Sequence, residues 1–163
     1  MASRTAGRID PIDSVRVGYF VLLLILIVQF LLGMAVNLFV TIPKSHPGAN
    51  PPEYFGGVAE SVSWSVLHGP LLLVLHSGLG LLIVLLSVQL LTQGIRSRTR
   101  RLWLPAAFGT VGVIAAGFNG GSFLNYDEDF SSMLMAAFFA VAVLSYVAGL
   151  FLLPRNPIAM DGR

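Results

Sequence analysis

Two histidines, His68 and His76, stand within residues 61–95, a stretch with no Asp, Glu, Lys or Arg. An ionisable side chain at membrane depth is costly, so each such residue is a default candidate for function. A neutral imidazole needs one donor and one acceptor, and Gln29 or a backbone carbonyl would make His76 a joint between helices. As a ligand it could instead hold haem iron or a metal. On one helix His68 lies about 12 Å along the axis from His76 and about 80° around it, too far for both to flank one iron. A second axial ligand would have to be Met34, Met133 or Met135, or a histidine from another copy of the chain.

Amides extend the set. Gln29, Gly33 and Asn37 repeat at four and share one face of a helix. Further along, Asn119, Ser122 and Asn125 follow a glycine-rich run, and Met133 and Met135 come soon after. Assigned depths from the alternating threading below, Asn37, His68, Asn119, Asn125 and Met133 fall in one half of the membrane, with Gln29 and His76 near its centre. The expectation is a polar site in that half. The alternative is interhelical hydrogen bonding, worth roughly 0.6–2 kcal/mol per pair.

The elements that must position these groups are spanning helices. Only 11% of residues are charged and 55% are hydrophobic, whereas a soluble domain carries about 25% charged residues. Residues 17–43, 61–95, 102–126 and 130–154 are free of charge, and each exceeds the ~20 residues that a spanning helix needs. Continuous rather than alternating hydrophobicity favours helices over a barrel. The fold expected is all-α: an integral membrane four-helix up-down bundle with spans at about 17–42, 64–93, 103–124 and 130–153. Around it lie tails at 1–16 and 154–163 and a Pro/Gly-rich outer loop at 43–61, read as extended or turned.

Nine of the ten basic residues (Arg4, Arg8, Arg16, Arg96, Arg98, Arg100, Arg101, Arg155 and Arg163) fall on one side of that threading, and Lys44 on the other. The positive-inside rule then places both termini in the cytoplasm and the chain in the cytoplasmic membrane. Arginines so arranged set topology and meet anionic lipid rather than nucleic acid. With no cysteine in the chain, disulfides, thiolate metal sites and cysteine nucleophiles are excluded. Hydrolase and phosphate-loop motifs are also missing.

Within residues 61–95, Ser65, Gly69, Leu72, His76, Gly80, Ile83 and Ser87 form a stripe of small and polar residues, the expected packing face. Pro70 either starts the membrane helix after a surface turn, leaving His68 interfacial, or kinks a longer helix that embeds it. Pro105 suits a first helical turn. Paired glycines around Asn119-Gly120-Gly121-Ser122 could open the third helix and offer carbonyls to an ion. Glycine-rich faces imply a homo-oligomer or docking into a larger membrane complex.

The run Leu75-His76-Ser77-Gly78-Leu79-Gly80-Leu81-Leu82 resembles the haem-ligating helices of small b-type membrane cytochromes, which implies haem b on His76. Over most of its length the chain resembles small four-span bacterial integral membrane proteins of unknown function. Asn37-Leu38-Phe39-Val40, His46-Pro47-Gly48, His68-Gly69-Pro70 and the stretch from Gly117 to Met133 carry that likeness, which implies the topology and no activity. The function expected is a non-catalytic accessory subunit or small-ligand-binding protein. The alternatives are an electron carrier with haem on His76 and a small channel or transporter.

Overall fold

The computed structural model describes residues 11–153. These form five helices: α1 (Pro11–Phe39), α2 (Tyr54–Leu67), α3 (Leu71–Arg96), α4 (Arg100–Tyr126) and α5 (Asp129–Leu152). No strand occurs among them. All but α2 are long and apolar enough to cross a membrane, so the chain is built as a multi-pass helical bundle. The parts of the expected tails at residues 1–10 and 154–163 lie outside the described residues.

Each boundary has a local cause. Residues 11–16 were expected as tail, but they form the first turns of α1. Proline suits a first helical position, Arg16 pairs with Asp13 at 2.8 Å, and Val15 is buried in the core. At its other end α1 stops at Phe39 rather than residue 42, because Ile42 precedes Pro43 and is biased away from helix.

The largest departure is α2, a 14-residue helix where a loop and the start of a span were expected. Its N-cap Glu53 accepts hydrogen bonds from the N–H groups of Phe55 (2.8 Å) and Gly56 (2.5 Å). Its inner face is Val58, Ser61 and Ser65, all buried. Helical spacing of that face outweighs the low propensity of Gly56-Gly57. At the far end His68 caps α2 through its N–H to Trp64 O, 2.8 Å. Pro70, at φ −56° and ψ 147°, is the N-cap of α3. The proline therefore starts a second helix after a turn and does not kink one, and Ser65 and Gly69 leave the expected continuous stripe.

Helix α4 begins at Arg100, earlier than expected, so Pro105 lies inside it and is buried. The helix runs unbroken through Asn119-Gly120-Gly121-Ser122 to Tyr126 and ends on left-handed Asp127 (φ 54°). The expected opening of the third span does not occur. Gly121 instead receives Val58 and Val62 of α2, and Gly120 faces Met135 of α5.

The long helices run antiparallel in a ring, α1 to α3 to α4 to α5 and back to α1. One end, the arginine end, carries the start of α1, the α3–α4 turn and the end of α5. The other carries α2 and the 40–53 loop. The apolar core sits toward the arginine end: Val15, Tyr19, Leu22 and Leu26 of α1 meet Ile83, Leu90, Leu102, Ala106, Val113, Ala142 and Tyr146. Tyr19, wholly buried, donates to Leu102 O at 2.5 Å. Its ring lies 5.9 Å from that of Tyr146. Large rings fit because glycines stand opposite: a Cβ on Gly109 would come within 2.1 Å of Tyr146, and one on Gly149 within 2.7 Å of Tyr19.

Candidate functional site

The helices bring together only two of the expected site residues, Gln29 on α1 and His76 on α3. Gln29 Nε2 donates to His76 O at 3.1 Å and faces His76 Nε2 at 3.4 Å. Two glycines make the approach feasible: Gly33 lies against the imidazole and Gly80 against the Gln29 amide. Small residues at such crossings let helix backbones come close in lipid. The pair is incompletely satisfied: Gln29 Oε1 is buried without a hydrogen-bond partner, and His76 Nδ1 makes no well-aligned bond, although the ring stands near the Gln29 backbone. Among the described residues the third such atom is Tyr146 Oη, which stands near the hydroxyls of Thr110 and Ser87. Buried polar atoms are nearly always paired, so each exception calls for an explanation.

Asn125 has the opposite character. It is 1% exposed, and its amide sits where α4, α2 and the 40–53 loop meet. In the orientation that satisfies its surroundings, Nδ2 faces the carbonyls of Gly48 (3.1 Å), Gly57 (3.1 Å) and Gly121 (3.2 Å) and Ser61 Oγ (2.6 Å), while Oδ1 accepts from Val58 N–H at 3.1 Å. Its backbone carbonyl also accepts from Asn50 N–H at 2.8 Å. Every polar atom is engaged. Asn125 is a latch that fastens α2 and the loop to the end of α4, with no capacity left for a ligand.

The remaining expected residues do not converge. Asn119 donates back to Ala115 O of its own helix at 2.8 Å. Asn37 and His68 are exposed, and Met133 is 58% exposed. One polar pocket gathering all of them is therefore not what the tertiary structure builds. The reason is rotational: residues at one depth on four helices share a site only if each helix also turns them inward.

Haem on His76 meets a geometric obstacle. Its Nε2 faces the Gln29 amide and its Cε1 edge packs on Gly33, so a porphyrin on either nitrogen would have to part α1 from α3. Met34 is exposed, and Met135 lies against Gly120 of α4. Among the described residues no group of three His, Cys, Asp or Glu could hold a metal ion. His46 is engaged by Pro47 O at 2.9 Å and stacks on Trp64 at 4.3 Å.

Sequence reasoning missed Ser61, the hydroxyl beside Asn125. Its spacing of three and four from Val58 and Ser65 was the available signal, hidden while residues 43–61 were read as loop. No family model, curated protein or solved structure matches the chain.

Proposed function

We propose that this chain is a non-catalytic multi-pass protein of the cytoplasmic membrane that holds a small ligand in the α2-side half of its bundle, alone or as an accessory subunit of a larger complex. One observation supports this reading above the others: Gln29 Oε1 is an acceptor left unmet at membrane depth, beside an imidazole with no well-aligned bond at Nδ1, where an unsatisfied polar group costs several kcal/mol.

The arginine end faces the cytoplasm in this reading. Arg16, Arg96, Arg98, Arg100 and Arg101 lie there, whereas the α2 end carries Lys44 with Glu53, Glu60, Asp127, Glu128 and Asp129. That asymmetry follows the positive-inside rule.

The chain has no cysteine, so single cysteines report topology cleanly. Ser45→Cys should react with an impermeant maleimide in intact cells and Thr99→Cys only after permeabilisation; the reverse pattern overturns the orientation. For the ligand, native mass spectrometry of protein purified in mild detergent should show a bound small molecule at fixed stoichiometry, lost in the Gln29→Leu/His76→Leu variant. Ligand-free protein from several membrane sources would refute the reading. A Soret band removed by His76→Ala would establish haem in its place.

A further inference from the structure

We infer that a cavity at the α2 end binds a small zwitterion carrying a primary ammonium, with Asp127 taking the ammonium and Lys44 the acid group. A free α-amino acid and the phosphoethanolamine head of a membrane lipid share that chemistry. The cavity is separate from the Gln29–His76 crossing, so the inference goes beyond the reading above and does not rest on it.

The cavity lies between the end of α4 and the 40–53 loop, half enclosed, with a volume of about 170 Å³. A water needs about 10–15 Å³ of such space, so a solute of several heavy atoms fits. Hydrogen bonds fix the walls. Asn50 N–H donates to Asn125 O at 2.8 Å and Ala49 N–H to His46 O at 3.0 Å. His46 Nδ1–H donates to Pro47 O at 2.9 Å, and its ring stacks on Trp64. A site held in place before the ligand arrives loses less binding energy to ordering.

Both charges in those walls are unpaired. Lys44 and Asp127 line the cavity, yet neither side chain forms an ion pair or hydrogen bond among the described residues. Asn50, whose amide is also unbonded there, adds a donor and an acceptor. A lone anion would meet Lys44 with Asp127 repelling it, and a lone cation the reverse; a zwitterion suits both. Ile42, Phe123 and Leu124 supply an apolar wall for an aliphatic part. The backbone points to the same place. Among the described residues three non-glycines hold a left-handed φ, Asn50 (47°), Arg98 (55°) and Asp127 (54°), and two of them line this cavity. Glycine would make either turn at lower cost, so each turn keeps a polar side chain that the backbone does not need. Backbone outliers of this kind gather at ligand sites.

Lys44 is the only lysine in the chain, so the full chain labelled with carbon-13 at lysine Cε gives one side-chain signal. In phosphatidylcholine nanodiscs that signal should shift saturably with L-leucine up to about 10 mM, enough to fill a millimolar site, with phosphatidylethanolamine replacing part of the lipid, or with both. Leucine alone assigns a free solute, and the lipid alone a head group. 4-Methylpentanoate and 3-methylbutylamine each carry one of leucine's two charges, and phosphatidic acid lacks the ammonium of the lipid. All three should act about tenfold more weakly than their zwitterions. Asp127→Gly keeps the left-handed turn and removes the carboxylate, so binding should weaken about tenfold. The Gln29→Leu/His76→Leu variant should bind as the parent does. Silence toward both zwitterions, an equal response to a singly charged control, full binding by Asp127→Gly, or loss of binding in the Gln29→Leu/His76→Leu variant would overturn the inference.

Discussion

The half of the bundle at the arginine end and the half beside α2 are made from similar residues and are packed differently. Toward the arginine end, glycine meets ring: Gly109 against Tyr146, Gly149 against Tyr19, Gly94 against the backbone of Trp103. Beyond Leu26 on α1 no residue of that helix is buried. In the second half Gly33 and Gly80 meet the side chains of the polar pair, Gly120 and Gly121 take side chains of α5 and α2, and Gly78 and Gly117 meet nothing within 4 Å. Only the peripheral cap of α2, held by Asn125, is tight there. The same residue type thus builds a rigid core in one half and leaves room in the other. Lipid supplies little hydrophobic force between helices, so packing and hydrogen bonds decide where a membrane bundle is firm.

Four tests would break or sharpen that contrast. Gly109→Val should have the largest effect, since its first carbon already overlaps the Tyr146 ring; overpacking of this kind costs about 3 kcal/mol. Thermal unfolding in detergent should show a large drop in midpoint, and an unchanged midpoint would mean that the arginine-end core is not the rigid half. Next in size is Asn125→Leu, which strands the carbonyls of Gly48 and Gly57 and the N–H of Val58, at about 1–3 kcal/mol. Its signature should be local: limited proteolysis cutting within residues 43–53 while the bundle midpoint moves little.

The polar pair comes third. Gln29→Leu alone should cost about 1 kcal/mol by leaving His76 unpaired, and adding His76→Leu should recover most of it. A double-mutant cycle giving a coupling near 0.6 kcal/mol would match other membrane hydrogen bonds. Zero coupling would show that the two side chains do not interact. Smallest of all, Gly117→Ala meets open space and removes a poor helix former, so it should stabilise by about 0.5–1 kcal/mol. A loss there would reveal a contact with another chain.

Much of the fold was legible because lipid imposes a one-dimensional requirement. Twenty apolar residues without charge need no knowledge of neighbours to be read as a span, and all four spans were found. Boundaries were less legible where caps set them: Glu53 holding the start of α2 and Pro70 that of α3 act through backbone geometry that composition does not display. Of the site, the Gln29–His76 partnership could be anticipated, since an amide and an imidazole near one depth have few alternatives. Asn119 shows the limit. Its depth matched the others, but its side chain turned back to Ala115, and no periodicity in a helix so rich in small residues revealed which way it would face.

By itself the amino-acid sequence determined that the chain is helical, that it crosses a membrane four times, and that few polar groups go in with it. These follow from the cost of exposing backbone and charge to hydrocarbon, which each segment meets on its own. Only the tertiary structure decided which polar atoms are satisfied. Rotation about four helix axes made Asn125 a saturated latch and left Gln29 Oε1 without a partner beside His76, and that rotation is set by contacts between segments far apart in the chain.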